Sequence, residues 1–169
     1  MEISKIIFIL LFGIFVFIST VGILFLIDNN VEEPKTLVTE RTSLTKSDFF
    51  HVYEVTKYPS KVHIVDMREE DIPKKLGIST ESWVLDFGIL PSGENSVKKI
   101  MTFNNSDGEE KKVNMVAFGN ISDMVSFSNN NFYLEGFEEI SVFLNATEDT
   151  REGNYTGEID IVIQRKRFG

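Results

Sequence analysis

The chain has no cysteine, one tryptophan, two histidines and four prolines in 169 residues. Without cysteine there is no disulfide framework, no thiolate nucleophile and no cysteine-based metal site. An exported domain of this kind must rest on its apolar core, and fifteen phenylalanines with abundant Ile and Val supply one. Positive charge is also short. Lys and Arg number 17 against 26 Asp and Glu, for a net charge of −9. That balance argues against a nucleic-acid partner, whose phosphates want a basic face, and against docking onto anionic lipid. Catalytic signatures are missing as well. There is no Gly-x-Ser-x-Gly, no Walker loop and no His-Glu-x-x-His. No Asp-x-Asp-x-Asp-Gly spacing offers a calcium loop. The sequence predicts no enzyme, no cofactor, no metal ligand and no catalytic residue.

What is present is one long apolar run. Residues 6–27, IIFILLFGIFVFISTVGILFLI, hold 22 positions without charge, Pro, Asn or Gln. At ~1.5 Å per residue such a helix spans about 33 Å, enough for a bilayer core of about 30 Å. A cleaved signal peptide has a shorter apolar core, about 7–15 residues, and a small-x-small cleavage site. Here five large apolar residues follow Gly22, and no Ala-x-Ala occurs. A buried core helix would need a surrounding helical globule, which the rest of the chain does not supply. The run therefore predicts a single-pass, uncleaved transmembrane anchor. Lys5 precedes it, and Asp28, Glu32 and Glu33 follow it. Positive charge prefers the cytoplasmic side, so residues 1–5 are placed inside and residues 28–169 outside.

Residues 28–46 are polar with one Pro and read as a linker. Residues 47–75 contain two β-rich runs, FFHVYEV and KVHIVDM, separated by KYPS. They predict a β-rich extension or hairpin, with a short helix over 47–56 as the alternative. From residue 76 the pattern is regular. Met101 and Phe103, then Val113, Met115 and Ala117, then Ile140, Val142 and Leu144 alternate with polar neighbours. The last strand puts Tyr155, Ile159, Ile161 and Ile163 inward and Thr156, Glu158, Asp160 and Gln164 outward. Period-two alternation with turns every ~8–12 residues marks an antiparallel sandwich. About seven strands fit into residues 76–166. The fold class expected is thus all-β, an immunoglobulin-like antiparallel β-sandwich preceded by one N-terminal transmembrane helix.

Several residues have structural roles by type and place. Gly88 and Gly93 give the first corner its freedom beside Pro91. Gly153 and Gly157 leave room for tight turning. Tyr155 sits where a tyrosine corner puts its ring in the core and its hydroxyl on a backbone carbonyl. Four Asn-x-Ser/Thr sequons, at Asn104, Asn120, Asn145 and Asn154, fall in the part placed outside and are candidate glycosylation sites. A hairpin would bring His51 and His63 together, with Glu54 or Asp66 beside them, but that is short of the three or four ligands a metal needs. The carboxylate runs at 69–71, 109–110, 138–139 and 148–149 read as solvated strand ends and loops. Trp83, Tyr133 and Phe143 are the candidates for an exposed aromatic platform, with Trp83 expected in or against the core.

Four segments carry a resemblance: WVLDFGILPSG at 83–93, MTFNNS at 101–106, FYLEG at 132–136 and EGNYTGEI at 152–159. Together they resemble the immunoglobulin-like domains of prokaryotic, archaeal-type cell-surface proteins, the group that includes the ASPM-SPD-2-Hydin-like and NEW3-like sandwiches. The likeness covers residues 76–166. It implies a spacer, adhesion or docking module, although a single copy weakens the spacer role. The layout is also similar to that of archaeal stator proteins of the rotating filament. The leading expectation is a non-enzymatic, membrane-anchored envelope protein that presents its sandwich to a protein partner such as a surface layer, a filament or a membrane complex. A pilin-like filament subunit is one alternative, although the leader MEISK lacks the Gly or Ala of a pilin cleavage site. A membrane-tethered hydrolase or carbohydrate-binding module is the other.

Overall fold

A computed structural model describes residues 11–14, 34–66, 83–93 and 95–168. Two compact units divide the chain, Met1–Glu33 and Pro34–Gly169. In the first, residues 11–14 are helical. The remainder of the apolar run 6–27 lies outside the described residues, and among those described no helix is long and apolar enough to cross a membrane. Residues 67–82, which include the charged connection and the first seven residues of the expected sandwich, also lie outside them.

The second unit is an all-β, sandwich-like fold. Its strands are β1 (Thr42–Ser47), β2 (His51–Val65), β3 (Leu85–Pro91), β4 (Asn95–Asn104), β5 (Lys111–Gly119), β6 (Val125–Phe127), β7 (Phe132–Tyr133), β8 (Phe137–Ala146) and β9 (Gly153–Lys166). One sheet runs β1-β2-β9-β5-β7, with β3 also paired to β2; the other runs β4-β8-β6. Among the described residues all pairings are antiparallel except that of β2 with β3.

The expected alternation builds the interior. Val62, Ile64, Phe87, Leu90 and Ile159 of the larger sheet cluster with Val142, Leu144 and Ala146 of the smaller one and with Ile121. Val113, Met115, Ile161, Phe103, Leu134 and Ile140 make a second cluster. Full burial of one such side chain contributes about 1.5–3 kcal/mol.

Three features differ from the sequence reading. Residues 47–65 form neither a hairpin nor a helix: β2 is one 15-residue strand that passes straight through Tyr58-Pro59. Its outer edge explains why Pro is tolerated there. β1 pairs residues 52–57 and β3 begins pairing at Ser60, so the residue without an N–H lies at the seam between two partners. The polar segment 34–46 is not a free linker. Its end is β1, and the Val38 N–H donates to Glu158 Oε2 at 2.7 Å. Trp83 stands 65 % exposed instead of packing against the core.

One junction depends on missing side chains. Gly119 and Gly157 face each other across β5 and β9. A Cβ on Gly157 would strike the Phe118 carbonyl and the Ile121 side chain. A Cβ on Gly119, where φ is +83°, would lie 2.8 Å from Gly157 Cα and 3.0 Å from Leu37 Cδ1. The pair lets segment 34–41 come down onto the sheet.

Candidate functional site

The register places Lys57 opposite Asp160 and Asp160 opposite Val116, on the sheet face that points away from the core. Glu158 follows on the same face, opposite Pro59 and Phe118. Alternation predicts these carboxylates to be solvated. They are buried instead, Glu158 fully and Asp160 to within 2 %. Lys57 Nζ bridges them, 2.7 Å from Glu158 Oε1 and 2.9 Å from Asp160 Oδ2. The second Glu158 oxygen takes the Val38 N–H. Desolvation pushes the Asp160 carboxyl above its ordinary value, opposed by Lys57 and reinforced by Glu158. Burial pulls the Lys57 ammonium down, but its bonds to the two carboxylates outweigh that and leave it raised. This cluster holds charge in a dry place. It joins the incoming chain to the sheet rather than opening onto a cleft. Sequence reasoning missed it because Glu158 and Val38 are 120 positions apart.

The residues singled out in the sequence are dispersed. His51 and His63 occupy opposite ends of β2, about 40 Å apart at ~3.3 Å per residue. His63 Nδ1 meets Asn154 Oδ1 at 2.8 Å, and His51 lies 3.7 Å from Asp48. The straight strand in place of a hairpin separates them. Among the described residues no group of three His, Cys, Asp or Glu is placed to hold a metal. The Tyr155 hydroxyl donates to the Arg151 carbonyl at 2.8 Å, and its ring packs against the core. Gly88, Gly93 and Gly153 all have positive φ. Asn104, Asn120 and Asn154 are exposed, while the Asn145 amide donates to Ser126 Oγ. Trp83, Tyr133 and Phe143 do not converge: they lie just before β3, on β7 and on β8.

A different aromatic group is gathered at one end of the sandwich. Phe49 and Phe50 form the β1–β2 turn, with rings edge to face at 4.9 Å. Phe168 follows β9, where the Arg167 N–H donates to the Phe50 carbonyl. Tyr133 and Phe137 sit at the same end, opposite Lys112 and Asn104. All five rings are at least half exposed. The other end carries the Gly119–Gly157 junction, the Tyr155 corner and the contact of Leu37 with the sheet. The chain matches no protein-family model and no curated protein.

Proposed function

We propose that this chain is a non-enzymatic, membrane-anchored protein of the cell envelope. In this reading residues 6–27 cross the membrane as an uncleaved single-pass anchor with the N-terminus inside. Residues 34–168 stand outside as an immunoglobulin-like module, archaeal in type, that meets a protein partner. The anchor rests on the uncharged 22-residue run and on Lys5 before it. The single observation that carries the docking role is the gathering of Phe49, Phe50, Tyr133, Phe137 and Phe168 at one end. Exposed rings collected at one end of a domain, rather than scattered singly, are a mark of an interaction surface.

The test is made on intact cells with a photo-crosslinking residue in place of Phe49, Phe137 or Asn154. The reading expects an adduct of defined mass from Phe49 or Phe137 and none from Asn154 at the opposite end. Protease added outside should remove residues beyond about position 34. A C-terminal tag that resists protease until lysis, or adducts from Asn154 alone, would overturn it.

A further inference from the structure

Residues 34–41 lead into β1 and belong to no strand or helix. Lys35, Thr36, Leu37, Thr39, Glu40 and Arg41 are exposed, while Pro34 and Val38 are half-buried. The segment is held to the sheet through side chains rather than by a strand ladder. The Val38 N–H donates to Glu158 Oε2 at 2.7 Å. Leu37 Cδ1 lies 3.0 Å from where a Cβ on Gly119 would stand. The Arg41 guanidinium is 4.9 Å from the Tyr58 ring centroid. β1 is bound differently, in register with β2 from Thr42 opposite Lys57 to Ser47 opposite Val52. The hold on the chain therefore changes in kind at Thr42.

The groups beneath the segment keep their pairing without it. Lys57 belongs to β2, and Glu158 and Asp160 to the adjacent β9. Their ion pairs at 2.7 and 2.9 Å therefore survive the departure of residues 34–41. What changes is hydration. Glu158 faces away from the core yet has no exposed surface, and Asp160 Oδ1, on the same face, is buried with no donor of the protein in reach. Burial of charge costs solvation that pairing returns only in part, and a buried acceptor without a donor adds to that cost. Water admitted by the departing segment offsets part of the loss of the Val38 bond and of the Arg41 contact. Parting the strands exposes apolar side chains instead, with no such return. We propose that residues 34–41 are a releasable strap, which leaves the sheet while β1 to β9 stay folded and so lengthens the tether of the sandwich. At ~3.3–3.6 Å per residue, eight extended residues supply about 26–29 Å of chain. A pull from the N-terminal side reaches Val38 before β1 and loads one N–H bond rather than a ladder. The use as a tether rests on the membrane anchor proposed above; the release itself does not.

The experiment follows amide hydrogen exchange in the full, isotope-labelled chain in detergent micelles, across a series of low denaturant concentrations. Val38 is compared with Ile161 of β9, which lies between β2 and β5. Corrected for intrinsic rates, Val38 should exchange about a hundredfold faster than Ile161 or more, yet slower than an unstructured peptide. Its rate should depend only weakly on denaturant, because a local opening exposes little surface. The ratio of the two rates cancels any change in global stability, so folded variants can be compared directly. Glu158→Gln replaces a charge-assisted bond by a neutral one and should raise the ratio about tenfold. Arg41→Ala should raise it several-fold, and Ile100→Ser on the other sheet should leave it unchanged. Val38 exchanging as slowly as Ile161, with the same denaturant slope, would overturn the proposal, since the segment would then leave only when the sandwich unfolds. So would exchange of Val38 at the rate of an unstructured peptide, or a ratio unmoved by both Glu158→Gln and Arg41→Ala. A C-terminal tag protected on intact cells would remove the tether role and leave these rates as they are, so the two readings fail separately.

Discussion

The outward face of β2-β9-β5 and the outward face of β4-β8-β6 lie under different cover. On the first, Lys57, Glu158 and Asp160 are taken out of water, and the Val38 N–H closes over Glu158. On the second, Lys98, Ile100, Thr102 and Asn104 alternate outward along β4, opposite Phe143, Ser141, Glu139 and Phe137 of β8, and Ile100 is 58 % exposed. A residue's position in the strand sets which face it joins. What is laid over that face then decides whether a charge there is solvated at little cost or must be paired. The larger sheet should therefore be sensitive to its outward charges, and the smaller one indifferent to its outward apolar groups.

The largest effect is expected from Lys57→Met. It strands two buried carboxylates, which costs about 3–5 kcal/mol when a buried pair loses one partner. That is a large part of the ~5–15 kcal/mol a domain possesses. Chemical denaturation at neutral pH measures it, and a loss below about 1 kcal/mol would put the cluster in water and erase the contrast between the faces.

Gly119→Ala attacks the cover instead of the charges. Its methyl would meet Gly157, Thr156 and Leu37 at a positive φ, and overpacking of this kind costs about 1–3 kcal/mol. Amide exchange at Val38 should speed up in this variant, since the segment that seats Leu37 is pushed off the sheet. Unchanged exchange with full loss of stability would locate the damage in the β5–β9 pair alone.

The pH dependence should carry the signature of the buried face. The folded-state value of Asp160 lies above its ordinary 3.8, so the folded state binds that proton more tightly. The resulting stabilisation is present below pH 3.8 and is lost as the pH rises toward the raised value. The stability of the wild type relative to Asp160→Asn should therefore fall across that window. The Lys57 contribution holds below 10.5 and is lost as the pH climbs through its raised value. A difference between wild type and Asp160→Asn that is flat through the acid range would contradict the burial. The smallest effect belongs to the other sheet: Ile100→Ser should change stability by no more than about 0.5 kcal/mol.

Much of the sandwich interior is legible because period two is a local property. Val113, Met115, Ile140, Val142, Leu144, Ile159 and Ile161 can be read off their own strands, and all are buried. The bond from Tyr155 to Arg151 spans four residues and is equally local. The rest depends on pairing at long range. KYPS looks like a break until β1 and β3 are seen to flank Pro59. Glu158 and Asp160 cannot be told from solvated positions without knowing where residues 34–41 lie. The bond from the Asn105 amide to the Leu134 carbonyl is hidden for the same reason, since it spans 29 positions.

The absence of cysteine makes one measurement decisive for the proposal that residues 34–168 stand outside the cell, and for the contrast between a covered and an open sheet face. Ile100→Cys and Val55→Cys are each made in the full chain and treated on intact cells with a membrane-impermeant maleimide. Ile100 is exposed on the open face, while Val55 is buried on the covered one, aligned with Val162 of β9. The account predicts rapid labelling of Ile100→Cys on intact cells and none of Val55→Cys until the protein is denatured. Labelling of Ile100→Cys only after the membrane is permeabilised, or equal labelling of both on intact cells, would contradict it.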